Sequence, residues 1–292
     1  MDTVNLQTFI AAAELESFSL AAEQLYLTQP AVSKRVASLE GELGAALFDR
    51  IGRRVSLTEA GRAFLPRARD ILREIEDSRR LISNLSGQVG GRLRIGTSHH
   101  IGLHRLPPVL RQFTARYPEV ALDLQFMDSE AACRAVQCGD LELGIVTLPL
   151  EPLADLYSEL IWPDPLDIVV GREHPLAGRK RLGFAQLAEH PAILPAPGTY
   201  TRELLERSVA GIGETLRAGM TTNYLETIKM MVSVGLGWSV LPRSMLDAEL
   251  VALKVRSISL ARQLGTVHHR NRTLSNAAGA MINTLQSMKT RR

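Results

Sequence analysis

Apolar residues at Leu6, Phe9, Ile10, Ala13 and Leu15 recur at helical spacing and stop at Ser17-Phe18-Ser19. Ser19 is placed to cap a second helix over Leu20, Ala21, Ala22 and Leu25. After Tyr26-Leu27 a third helix opens. Thr28 is a good N-cap, Pro30 falls in the first turn where its missing N–H costs nothing, and Val32, Val36, Leu39 and Leu43 lead to Gly44, a natural C-cap. The order is helix, turn, helix, with small Ala21 and Ala22 where the two helices approach. Gln29, Ser33, Lys34 and Arg35 stand on or near the exposed amino-terminal face of the third helix, the end that enters the major groove in this motif. From Leu47 to Leu57 two short extended pieces flank Gly52 with Arg50, Arg53 and Arg54 about the tip, the pattern of a wing.

A longer pattern starts at Thr58, with Glu59 in its first turn, and runs to about Ser86, a helix of roughly 43 Å at 1.5 Å per residue. Phe64, Ala68, Ile71, Ile75, Ile82 and Leu85 form an interrupted heptad seam flanked by Arg69, Asp70, Arg73, Glu74 and Glu76, which predicts a partner helix. Pro66 should kink this helix or loosen one hydrogen bond. Ser86-Gly87-Gln88-Val89-Gly90-Gly91 then reads as a flexible linker and a domain boundary.

Beyond it the period switches between strand and helix. Arg92 to Thr97 reads as a strand, about Ile101 to Tyr117 as one helix, Val120 to Phe126 as a strand, a Ser129-capped helix runs to Gly139, and Leu143 to Val146 is a buried strand. A second set has strands at Ile168–Val170, Ala192–Leu194, Leu216–Thr221 and Gly237–Leu241, and helices at Phe184–Glu189, Thr201–Val209 and Asn223–Val234. Alternating β and α predicts a mostly parallel sheet in two similar lobes, crossed near Trp162–Ile168 and Ala261–Val267. A strand at Leu264–His269 and a helix from Ser275 to Met288 return to the first lobe.

Open α/β sheets bind ligands beyond the carboxyl ends of their strands, and two facing lobes make a cleft there. Ser98 and His100 at a strand-to-helix turn, Thr147 at a strand end, and Thr199, Thr201 and Arg202 at a helix start after Pro197-Gly198 are the groups that reach it. Hydroxyls, backbone N–H groups and one guanidinium suit a small anion, above all a carboxylate. Each residue has a plainer reading beside this one: Thr199 or Thr201 as a helix cap, Arg202 as a salt-bridge partner, His100 as a satisfied turn residue.

Composition narrows the class. The 292 residues exceed one usual core, so at least two domains are expected, and 45% hydrophobic with 22% charged residues is ordinary for a folded, soluble protein. No run approaches the roughly 18 apolar residues of a spanning helix, and Asp2 precedes any apolar stretch without a basic leader, which predicts a cytoplasmic protein with no membrane partner. The net charge of +3 is too slight to indicate nucleic acid. Placement does so instead: between Thr28 and Ser56, Lys34, Arg35, Arg50, Arg53 and Arg54 face only Glu40, Glu42 and Asp49. Cys133 and Cys138 have the wrong spacing for a redox or zinc pair, and the neighbouring His268 and His269 point to opposite faces of a strand, so no metal and no cofactor is expected. No P-loop, GxGxxG or HExxH motif appears and no nucleophile finds a matched base, which argues against an enzyme. A free-standing solute-binding protein is opposed by the wing.

The run from Ser17 to Glu40, followed by Leu43-Gly44, Leu47-Phe48-Asp49-Arg50 and Leu57-Thr58-Glu59-Ala60-Gly61, closely resembles LysR-type transcriptional regulators. The resemblance implies an α+β winged helix-turn-helix domain at 1–58, a dimerisation helix and hinge at 59–91, and at 92–292 an α/β effector-binding domain. That domain would be two-lobed and type II periplasmic-binding-protein-like, with lobe I at about 92–162 and 267–292 and lobe II at about 163–266. It further implies binding to double-stranded promoter DNA through Thr28, Gln29, Pro30, Ser33, Lys34, Arg35, Arg50, Arg53 and Arg54, assembly as a homodimer or homotetramer, and RNA polymerase as a further partner. A small-molecule effector is expected in the interlobe cleft at Ser98, His100, Thr147, Thr199, Thr201 and Arg202. His100 and Ile101 differ from the short polar residues some members carry there.

Overall fold

The computed structural model describes residues 1–51, 54–179 and 181–289, which form two compact units, Met1–Ser86 and Gly87–Arg292. In the first unit, α1 (Thr3–Glu14) is capped by Asp2, whose Oδ1 accepts from the Val4 N–H at 3.0 Å. The second helix, α2 (Phe18–Gln24), is capped by Ser17 rather than Ser19, its hydroxyl accepting from the Leu20 N–H. The earlier start makes Phe18 helical and buries its ring edge-on to Phe48 at 5.2 Å, a packing gain that local cap preference does not register. Helix α3 (Gln29–Leu43) begins at the Thr28 cap with Pro30 in its first turn and ends at left-handed Gly44 (φ 67°). Strands β1 (Phe48–Ile51) and β2 (Arg54–Leu57) pair antiparallel as a hairpin.

Helix α4 (Glu59–Leu85) carries Pro66 in its interior and starts at Thr58, whose hydroxyl accepts from the Gly61 N–H. Gly61 passes so close to the wing that a Cβ there would sit 2.1 Å from the Leu47 carbonyl oxygen. The seam expected to meet a partner helix is divided. Phe64, Ala68 and Ile71 pack into the unit's own core of Leu6, Phe9, Val36, Leu39 and Phe48, whereas Leu81, Ile82 and Leu85 are 55%, 67% and 79% exposed.

The second unit begins with β3 (Gly91–Thr97), α5 (His99–His104) and α6 (Leu106–Arg116). The single helix expected over 101–117 is therefore two, broken at Arg105, because Pro107 and Pro108 lack the N–H groups a continuous helix needs and fit only in the first turn of a new one. Then follow β4 (Val120–Phe126), α7 (Ser129–Cys138, preceded by Asp128 as the cap residue rather than Ser129) and β5 (Leu143–Thr147). Next come β6 (Leu156–Gly171), α8 (Phe184–Ala188), β7 (Ile193–Leu194), α9 (Tyr200–Ala210), β8 (Met220–Thr221) and α10 (Leu225–Ser233). The chain closes with β9 (Trp238–Pro242), β10 (Leu250–Leu253), β11 (Leu260–His269) and α11 (Asn276–Lys289).

The sheet is mixed, not mostly parallel. Its order is β10-β6-β11-β5-β3-β4, with β9 also on β6; β3 runs parallel to β4 and β5, but β6, β9, β10 and β11 make antiparallel pairs. The cause is the two long crossings. Strands β6 and β11 traverse the unit in opposite directions and pair with each other from Leu156↔His269 to Leu166↔Leu260. Pro163 and Pro165 conceal β6 in the sequence. They are tolerated because β6 pairs with β9 and β10 only from Leu166 onward, which leaves that edge open where the prolines lack N–H groups.

Two large cores divide these strands. One holds Leu93, Ile95, Ile101, Phe113, Trp162 and Leu264 with Met281 and Leu285 of α11; the other holds Leu166, Ile168, Phe184, Trp238, Val240 and Leu260. The chain therefore passes from one core to the other at 163–165 and at 261–263. Gly265 sits at the bulge beside the second crossing, where a Cβ would lie 2.0 Å from the Glu159 carbonyl oxygen.

Candidate functional site

Two surfaces concentrate polar groups. On the first unit, Val32, Val36 and Leu39 bury one face of α3, and the opposite face presents exposed Thr28, Gln29, Pro30 and Lys34 with half-buried Ser33 and Arg35. Glu40 fixes the wing to this helix: its Oε1 accepts from the backbone N–H of Leu47 at 2.7 Å and of Phe48 at 3.2 Å. Arg53 lies outside the described residues, as do the side chains of Arg50 and Arg54, whose backbones run in β1 and β2. Tyr26 escaped the sequence reading. It occupies the turn before α3 at φ 54° and is 96% exposed, an aromatic held out in water by the turn's left-handed backbone.

In the second unit a cavity of about 60 Å³ opens between the lobes, room for a few waters or a small ion. Ser98, His100, Thr147, Thr199 and Thr201 all line it, together with Asp128, Glu130, Asn223 and Arg262. Some of these groups are already engaged. The Ser98 hydroxyl accepts from the Ile101 N–H and that of Thr199 from the Arg202 N–H, so both cap their own helices, and the Thr199 hydroxyl also donates to the Ala196 carbonyl at 2.9 Å. Asn223 donates to the Asp128 carboxylate at 2.7 Å across the cavity mouth, and the Glu130 carboxylate accepts from the Tyr200 N–H. Burial raises the Glu130 carboxyl above its ordinary value.

Arg202 does not line the cavity. Its Nε donates to Glu206 Oε1 at 2.6 Å, one turn further along α9, as an i,i+4 pair. The guanidinium that lines the cavity belongs to Arg262 of β11. It is 6% exposed, its Nε donates to Asp164 Oδ2 at 2.7 Å, and its Nη1 donates to the Thr201 hydroxyl at 3.1 Å. Asp164, directly opposite Arg262 in the β6–β11 ladder, also accepts from Arg105 at 3.1 Å. Two guanidinium groups thus share one carboxylate and leave a net positive charge, and the Arg262 Nη2 is buried without a partner among the described residues. Burial pulls Arg262 below its ordinary pKa and Asp164 opposes this, so the group stays a cation. His100 is neutral near pH 7: burial, reinforced by Arg262, lowers its imidazole to about 4.

Asp164 and Arg262 carried a signal that went unread. Each stands at an inward position of a strand with period-two burial, between Trp162 and Leu166 and between Leu260 and Leu264, where apolar side chains are the rule. A charge at such a position needs a partner and marks a site.

A winged helix-turn-helix unit and a two-lobed α/β unit with a polar interlobe cavity, carried on one chain, define a DNA-binding transcriptional regulator with a substrate-binding domain. Residues 4–62 match the model of the bacterial regulatory helix-turn-helix protein, lysR family, and residues 86–289 match the LysR substrate binding domain. The chain belongs to the LysR family of transcriptional regulators.

Among curated relatives it is 33% identical over 280 residues to the RuBisCO operon transcriptional regulator of Allochromatium vinosum, covering 94% of this chain and 92% of that one. It is 31% identical over 268 residues to the HTH-type transcriptional regulator CysL of Bacillus subtilis, covering 90% and 89%. These relatives are named as regulators, not enzymes. Among solved structures, a full-length point variant of OxyR from Pseudomonas aeruginosa matches with a TM-score of 0.71 at 23% identity, over 98% of this chain and 95% of that one. CbnR complexed with its target DNA matches at 0.66 and 21%, over 98% and 99%. Both support the fold. No helix among the described residues is long and apolar enough to cross a membrane.

Proposed function

We propose that this regulator responds to a small anion, a carboxylate or an ion of similar size, held in the interlobe cavity by Arg262. The observation that carries the reading is the Arg262 guanidinium: buried, in charge excess with Arg105 over Asp164, and with Nη2 unpartnered in a cavity whose lining adds hydroxyls and the Asp128 and Glu130 carboxyls, which already accept from Asn223 and from the Tyr200 N–H. A buried donor without a partner is costly and rewards an acceptor that fills it. Thr201 orients the guanidinium. Ser98, Thr147 and Thr199 are polar walls, the amino-terminal turn of α9 adds positive potential, and Arg202 is reassigned to bracing that helix.

On the DNA side, Gln29 and Ser33 read base edges while Lys34, Arg35 and the wing arginines Arg50, Arg53 and Arg54 reach phosphates, with Thr28 and Pro30 setting the start of the helix. The exposed end of α4 pairs with a second copy, so the protein acts in the cytoplasm as a dimer or tetramer on promoter DNA, where RNA polymerase is its further partner. The anion favours one interlobe geometry and changes operator binding through that difference.

Calorimetry with acetate, small dicarboxylates, sulfate and phosphate tests the site on wild type, Thr201→Val and Arg262→Met. Losing a charge-assisted contact of about 1.5–3 kcal/mol weakens binding roughly ten- to a hundredfold in Arg262→Met. Equal affinity in all three proteins removes Arg262 from the site. A promoter footprint unchanged by a saturating anion shows that the cavity is not the switch.

A further inference from the structure

His100 and His104 stand four residues apart on α5, so both rings lie on one face of that helix, with centroids 4.8 Å apart. Glu226, at the start of α10, approaches both: its Oε1 lies 2.9 Å from His104 Nε2 and 3.8 Å from His100 Nδ1. One ligand atom from each of the three lies within 4.8 Å of the others. A tetrahedral zinc site with bonds near 2.0–2.1 Å spaces its ligand atoms about 3.3 Å apart, so the two carboxylate distances bracket what such a site requires.

The second observation is His100 itself. Its side chain is 4% exposed, yet neither ring nitrogen has a hydrogen-bond partner among the described residues. Buried imidazoles normally satisfy at least one nitrogen, and a ring left with both unpaired beside a carboxylate and a second imidazole is arranged for a ligand. The positive charge of Arg262, which acts on His100, is opposed there by the carboxylates of Asp164 and Glu226.

We propose that His100, His104 and Glu226 bind one divalent cation of the zinc class, Zn²⁺ or the Co²⁺ and Ni²⁺ that accept the same two-imidazole, one-carboxylate set. The cation joins the lobes. Ile101, beside the histidines, packs in the first core, whereas Leu225 and Ile228, which flank Glu226, pack in the core around Val169 and Leu241. Three protein ligands leave a fourth position for water. His100 also lines the anion cavity, but His104 and Glu226 do not, so substitutions at those two separate this site from the one built on Arg262. The absence of a metal expected from His268-His269 does not extend to this pair. His268 and His269 lie in a strand, with His268 against the Tyr157 ring at 5.1 Å, whereas an i,i+4 pair on a helix converges.

The test uses full-length, tag-free protein stripped with a chelator and titrated with Zn²⁺ by calorimetry and with Co²⁺ by visible absorption. One cation per chain at micromolar affinity or better is expected, with the absorption of four-coordinate cobalt. His104→Gln and Glu226→Gln, both on exposed side chains, should each weaken binding at least about tenfold. Zinc should raise the unfolding temperature of wild type but not of either variant, and the three proteins should unfold alike in chelator. Absence of micromolar binding, or unchanged affinity in both variants, overturns the assignment. Anion binding intact in His104→Gln and zinc binding intact in Arg262→Met keep the two sites apart, so either reading can fail without the other.

Discussion

In residues 1–86 the described groups proposed to meet DNA, Thr28 to Arg35, come from one helix, and each sits within a few positions of the cap that orients it. The interlobe cavity draws Ser98, Thr147, Thr201 and Arg262 from four separate elements, and its central charge is held by a cross-strand pair buried where two strands pass between lobes. The first surface is open to solvent at Gln29 and Lys34 and only half-buried at Arg35, so its described charges keep most of their hydration and act by position. The second is enclosed, so one unpaired donor there is energetically conspicuous. Substitutions at the first should change recognition with little loss of stability, and substitutions at the second should change stability and ligand response together.

The sharpest break in that contrast comes from Asp164→Ala. It leaves Arg105 and Arg262 without their shared carboxylate and should cost the second unit about 3–5 kcal/mol, seen as earlier urea unfolding of that unit with the first unit's transition unmoved. A shift below about 1 kcal/mol would mean the pair is hydrated and the cavity is not dry. Ile82→Ala works in the opposite sense. The side chain is 67% exposed within its unit, so chain stability should hardly change, but a partner helix covering it would lose about 2–5 kcal/mol on its removal. Sedimentation equilibrium should then show a smaller species, and an unchanged assembly places the interface elsewhere.

Two further substitutions separate reading from docking on α3. Gln29→Ala should flatten preference among operator variants by about 1–3 kcal/mol, while Arg35→Ala should weaken all duplexes alike and lower the slope of log affinity against log salt by about one. A change of sequence preference in Arg35→Ala with an unaltered salt slope reverses these roles. The smallest effect belongs to Glu40→Gln, which keeps an oxygen acceptor for the Leu47 and Phe48 N–H groups but removes its charge. About 1 kcal/mol of stability in the first unit is at stake, read by thermal unfolding of wild type and variant.

The first unit was largely legible because its signals are local. Thr28, Pro30 and Gly44 bound α3 as their backbone preferences dictate, and Val32, Val36 and Leu39 mark the buried stripe by spacing alone. The one cap misread, Ser19 for Ser17, fell where a distant ring, Phe48, decides which of two serines begins the helix. The same limit governs α4. Its heptad spacing identifies an apolar stripe, but only packing shows that Phe64, Ala68 and Ile71 spend it on their own unit and that the free part starts beyond them. In the second unit five of the six residues expected at the cleft do line it, since strand-to-helix turns point there by topology, whereas Arg202 stands outside the lining with its Nε turned to the i,i+4 carboxylate of Glu206.

The order of residues by itself determined the helix-turn-helix, the wing, the boundary near the glycines and the alternation that makes an α/β unit, because caps, turns and periodicity act over a few residues. Only the tertiary structure decided that β6 continues through Pro163 and Pro165, that Asp164 faces Arg262, and that His100, His104 and Glu226 converge. Those outcomes depend on which strand leaves an edge open, which register two crossings adopt and how near one lobe stands to the other. Energies of that kind arise between groups up to a hundred positions or more apart, and a sequence pattern read a few residues at a time does not contain them.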